Sequence, residues 1–144
     1  MNKLNFDNGF EQIMINEGNI ISWNPTDVDF GSRYFKFIDD AEELIDKIQN
    51  EPKAASDERE TAARVTGFGC KVCEMIDDVF GSAISQAVFC GANPFSPTKN
   101  GGFLLINFLE AITPIISDSI ERAQKDSQVQ IKKYTNPVSK RVMN

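Results

Sequence analysis

Cys73-Glu74-Met75-Ile76-Asp77-Asp78-Val79-Phe80-Gly81 is the stretch that decides the fold. Apolar residues there and upstream recur at helical spacing: Ala62, Val65, Phe68 or Gly69, Val72, Met75 or Ile76, then Val79. Gly81 supplies the stop, because glycine takes the left-handed conformation that ends helices. The helix opens at Ser56 or Asp57, with Asp57 and Glu60 forming a capping-box pattern. Gly67 and Gly69 inside it each cost about 1 kcal/mol relative to alanine. Two such residues predict close approach of another helix.

Working outward, Ser82 is the expected cap of a short third helix through Ala83, Ile84, Ala87, Val88 and Phe89, ended by Gly91. Residues 93 to 102 hold two prolines and two glycines and read as a loop. A fourth helix runs from about Gly102 to Lys125. Its stripe (Phe103, Ile106, Leu109 or Glu110, Thr113, Ile116, Ile120) is widened by Leu105, Phe108, Ile112 and Ile115, which implies a central position or an oligomer interface. Pro114 should kink that helix without ending it. Upstream, Tyr34, Phe35, Ile38, Ala41, Ile45 and Ile48 mark a first helix from about Ser32, closed by Pro52. Residues 10 to 15 and 20 to 23 are β-prone around Asn16-Glu17-Gly18-Asn19, a hairpin, and Asn24-Pro25-Thr26-Asp27 breaks the pattern. The expected fold is mostly α: a four-helix compact bundle over residues 1–123, a small N-terminal β-hairpin, and a basic, mobile C-terminal tail over 124–144.

The chain has 144 residues, 41% hydrophobic and 25% charged, enough for one domain with a continuous core. No apolar run approaches the roughly 20 residues of a membrane span. Met1 to Asp7 lack the apolar stretch of a signal peptide, and three cysteines argue against a secreted disulfide framework. A cytoplasmic location is expected. The net charge is −6, with 10 Lys/Arg against 20 Asp/Glu in residues 1–123 and five against one in residues 124–144. An acidic body disfavours nucleic acid as a partner.

Histidine is absent. That removes Ser-His-Asp and Cys-His nucleophiles and histidine metal ligands together. Cys70-Lys71-Val72-Cys73 has redox or zinc spacing, but a zinc site lacks its remaining ligands and a redox pair belongs at a helix N-terminus. The cysteines are therefore expected as small core residues. Asp39-Asp40, Glu42-Glu43 and Asp77-Asp78 read as solvated faces, since adjacent carboxylates point to different sides of a helix. No catalytic, cofactor or metal site is expected. Trp23, Tyr34, Phe35 and Phe37 either pack the hairpin onto the bundle or form a docking patch.

Met75-Ile76-Asp77-Asp78-Val79-Phe80-Gly81, Phe89-Cys90-Gly91-Ala92-Asn93-Pro94 and Asn107-Phe108-Leu109-Glu110-Ala111-Ile112 resemble segments of the small tail assembly chaperones of long-tailed phages and prophages. The likeness spans roughly residues 6 to 123 and includes Tyr34-Phe35-Lys36-Phe37. It implies a non-enzymatic protein of the host bacterial cytoplasm, absent from the mature virion. Its partners would be the tape measure protein and, secondarily, the tail tube protein, with no nucleic acid and no membrane. Many members are made in two forms by a ribosomal frameshift. The residues expected at the partner surface are Trp23, Tyr34, Phe35, Phe103, Ile106, Phe108, Ile112 and Ile116. Self-association into a homo-oligomer is expected from the broad stripe of the last helix. The competing expectation is a virion component, a head–tail connector or tail terminator, assembling into a ring.

Overall fold

The computed structural model describes residues 1–16, 18–50 and 58–143, with side chains through Asp126. Strands β1 (Glu11–Ile15) and β2 (Asn19–Trp23) form an antiparallel hairpin. Four helices follow among the described residues: α1 (Val28–Asn50), α2 (Glu58–Phe80), α3 (Ile84–Phe89) and α4 (Leu104–Met143). The mostly helical fold with an N-terminal hairpin is as the sequence predicts.

The hairpin alternates as its pleat requires. Ile13 pairs with Ile21 and Glu11 with Trp23 on the side facing the helices, while Met14 pairs with Ile20 on the outer side. Asn16 takes φ 41 in the turn, and the Gly18 N–H donates to the Ile15 carbonyl at 3.3 Å. The core is a single cluster in which Tyr34 is central. Its ring lies 6.1, 6.2 and 6.0 Å from those of Phe30, Phe37 and Phe80, which joins α1 to α2 by edge and stacked contacts.

Several boundaries differ from the sequence reading. α1 starts at Val28 and not Ser32, because Asp27 is its cap: Asp27 Oδ1 accepts the Asp29 N–H at 3.0 Å. α3 is not capped by Ser82. Ala83 takes the cap position with φ 66 and no side-chain bond. Asp77, reaching from α2, accepts both the backbone N–H of Ser85 (2.8 Å) and its hydroxyl (3.1 Å). A carboxylate read as solvated thus fixes the α2–α3 corner. Gly81 ends α2 as expected, with φ 117 and its N–H on the Asp77 carbonyl at 2.9 Å.

Close approach occurs at Gly69 and not at Gly67. A Cβ on Gly69 would stand 2.6 Å from Asn93 Oδ1, whereas one on Gly67 would meet nothing within 4 Å. The approaching group is a loop side chain, not a helix: Asn93 donates to the Val65 carbonyl (3.3 Å) and accepts from the Phe95 N–H (2.9 Å). The loop then folds back through a Pro97–Phe103 bridge. Carbonyls of Ser96 and Pro94 receive the N–H groups of Leu104 (2.9 Å) and Leu105 (2.8 Å), so the chain before α4 caps it.

α4 is continuous through Pro114 and its backbone stays helical to Met143, beyond the expected end near Lys125. Residues 124–136 lose apolar periodicity but contain no glycine or proline, so nothing in the backbone chemistry stops the helix before Pro137. The expectations placed on Pro52 and on the Asp57 cap lie outside the described residues. The expected mobility of the tail falls on residues whose side chains lie outside them. No helix among the described residues is long and apolar enough to cross a membrane.

Candidate functional site

Of the eight residues expected at a partner surface, four are interior. Trp23, Tyr34, Ile112 and Ile116 are buried, and none can meet a partner without opening the core. Each has an internal reason to be there. The Trp23 indole N–H donates to Ser119 Oγ at 3.0 Å, and Ser119 donates in turn to Glu11 Oε2 at 2.6 Å. That relay pins both hairpin strands to α4. The Tyr34 hydroxyl shares a 2.6 Å hydrogen bond with Thr113 Oγ1, and burial pushes the phenol pKa up. Phe103, Ile106 and Phe108 are half-buried. Phe103 packs on Phe95 with centroids 5.5 Å apart, and Phe108 on Phe89 at 6.1 Å. Phe35, 47% exposed, is the one of the eight that stands clearly in water.

Phe35 does not stand alone. It lines an open groove of about 580 Å³ with Val28, Gly31, Ile120 and Ala123, rimmed by Pro25, Thr26, Asp27, Ser32 and Gln124. The first turns of α1 form one wall and the Ile120–Gln124 turn of α4 the other. Gly31 faces Ile120 across the groove, and a Cβ there would lie 3.7 Å from Ile120 Cδ1, in ordinary contact. Val28, at the mouth, is 86% exposed. The size and the mix of apolar floor and polar rim match a ligand cleft.

Sequence reading missed Val28, Gly31, Ile120 and Ala123 as a group. Val28, Gly31 and Phe35 recur at helical spacing, a signal hidden once α1 was started at Ser32. Reading Asp27 as an N-cap exposes it.

The expectation of core cysteines fails at Cys70 and Cys90 and holds in part at Cys73, which packs against the core. Cys70 and Cys90 are exposed and Cys73 is half-buried. Cys70 follows Gly69 and falls off the Val72–Ile76–Val79 stripe; Cys90 caps α3 in the left-handed region with φ 50. The Cys73 thiol pKa is raised, chiefly by burial, which opposes thiolate formation at neutral pH. Among the described residues no group of three Cys, Asp or Glu side chains is placed to hold a metal ion.

A second furrow, about 320 Å³, runs between α1 and α2. Asp40, Glu43, Glu74 and Asp78 face Lys47 and Lys71 across Leu44 and Met75. Lys36 nearby binds Asp40 at 2.8 Å, and that hydrogen bond raises the ammonium pKa. Charges of both signs side by side leave this furrow without the apolar floor of the first.

No protein-family model, curated protein or solved structure matches this chain.

Proposed function

We propose that the protein is a non-enzymatic tail assembly chaperone that holds an amphipathic helical segment of the tape measure protein. The observation that carries this reading is the open groove between α1 and α4, with Val28 and Phe35 in water at its mouth. A groove of this form suits the apolar face of a helix, whose anchors recur every three or four residues. The body's excess of 20 acids over 10 bases in residues 1–123 would keep such a complex soluble. The resemblance of Met75–Gly81, Phe89–Pro94 and Asn107–Ile112 to segments of the chaperone family favours the same role.

Co-expression tests the proposal. A long helical tape measure protein, insoluble alone, should become soluble and co-purify with this chain. Phe35→Asp, which puts a charge at the exposed mouth of the groove, should reduce its recovery by tenfold or more. Equal solubility without the chain would overturn the reading, and so would finding the chain in purified mature particles by mass spectrometry.

A further inference from the structure

Residues 1–10 form neither helix nor strand, yet they carry Leu4 and Phe6, which are 84% and 73% exposed. Burying a large apolar side chain is worth about 1.5–3 kcal/mol. Two of them in water on one short segment is an unrealised contact.

The segment leaves the body at a defined point. Asp7 Oδ1 accepts the Gly9 N–H at 2.9 Å, and Asn8 Oδ1 accepts the Phe10 N–H at 3.0 Å, making two successive turns. Gly9 adopts φ 81, and a Cβ there would stand 2.8 Å from both Asn24 Oδ1 and Thr26 Oγ1. Its backbone is therefore pressed against the turn that forms the groove rim, since Pro25, Thr26 and Asp27 line that groove. Apolar arm and apolar groove meet at one place on the molecule, but Leu4 and Phe6 lie outside their own groove.

Charge gives the pairing a sense. The arm carries Lys3 and no acid before Asp7. Among the described residues the charged side chain lining the groove is Asp27, which makes a loose contact to Arg33 at 3.9 Å. Lys3 can add to that acid where a basic groove would repel it.

We propose that residues 2–8 of one copy lie in the α1–α4 groove of a second copy, with Leu4 and Phe6 against Val28, Phe35 and Ile120. Each copy owns one arm and one groove, so a two-fold pair satisfies both reciprocally. Two short arms make a small contact beside the roughly 1,200–2,000 Å² of a standard stable interface, so the association should reverse on dilution. The arm would compete with a client helix for this groove, and because the readouts below use this chain alone, failure of the pairing is distinguishable from failure of the chaperone reading.

Photo-crosslinking of the purified full chain tests it. A benzophenone amino acid replaces the exposed Phe6, where folding is not at stake. Irradiation should yield a denaturant-resistant species of twice the 16.1 kDa chain mass, with crosslinked peptides within residues 25–35 or 120–124. Crosslinks confined to one chain, crosslinks to any other surface, or none at all would overturn the proposal. Sedimentation velocity supplies the second arm of the test. Deletion of residues 2–8, and separately Ser32→Trp at an exposed lining position, should each raise the dimer dissociation constant at least tenfold with unchanged helical circular dichroism. Two folded variants that dimerise like the parent would overturn it.

Discussion

At its first turns α4 is held by the loop before it; at Ile120 to Gln124 it is one wall of an open groove. The first region closes every account. Ser96 and Pro94 carbonyls take the free N–H groups of Leu104 and Leu105, Asn93 fits against Gly69, and the rings of Phe95 and Phe103 meet edge to face. Among the described residues no buried side-chain polar atom lacks a partner. The second region has comparable apolar content but leaves Val28 and Phe35 in water. Stability resides in the closed region, where substitutions cost folding energy. Recognition is assigned to the open one, where they should not.

The largest effect belongs to Ile116, fully buried in the common core. Ile116→Ala should cost about 2–5 kcal/mol, the range for truncating a buried aliphatic side chain. Urea denaturation would show it as a lowered midpoint with unchanged slope. A loss under 1 kcal/mol would mean that this face of α4 is not packed as described.

Ser119→Ala comes next. It strands the buried Trp23 indole N–H and releases Glu11, for an expected loss of about 1–3 kcal/mol. Indole fluorescence would follow it directly. The effect should exceed that of removing Arg122, whose ion pairs with Asp118 (3.0 Å) and Glu11 (3.7 Å) are exposed and worth little.

Ser119 also shows where sequence reading stops. The α2 stripe from Val65 to Val79 and the stop at Gly81 were legible because helical period and a positive-φ glycine are local properties. The hairpin was legible for the same reason. Ser119 was not: its partners lie 96 and 108 residues away, and a serine in an apolar stripe carries no mark of either. The groove was hidden differently. Its α1 wall depended on one boundary, and Asp27 reads equally as a turn residue or a helix cap. Trp23 and Tyr34 misled because large aromatic side chains with a polar atom suit a buried hydrogen bond and a docking surface alike.

The two glycines of α2 sharpen the comparison with opposite signs. Gly69→Ala must displace Asn93, losing its bonds to Val65 and Phe95, a cost of about 1–3 kcal/mol partly offset by the gain in helix propensity. Gly67→Ala meets nothing and should stabilise by about 1 kcal/mol. Both variants measured by thermal unfolding would settle whether the loop seats on α2 at Gly69 alone. Equal shifts of the same sign would contradict the close approach.

The smallest stability effect is expected in the open region and tells most about function. Val28→Ser removes an 86% exposed side chain from the first turn of α1, where serine is well tolerated. Its folding free energy should stay within about 0.5 kcal/mol of the parent, as for surface substitutions generally. Partner retention should nonetheless fall if the proposed function holds, because Val28 lines the groove proposed to take the client helix. Co-purification with the tape measure protein would read the second quantity and denaturation the first. If Val28→Ser destabilised the fold as Ser119→Ala does, the groove would be part of the core after all. If it altered neither, the groove would be surface without a role, and the division between a closed and an open end of α4 would describe packing alone.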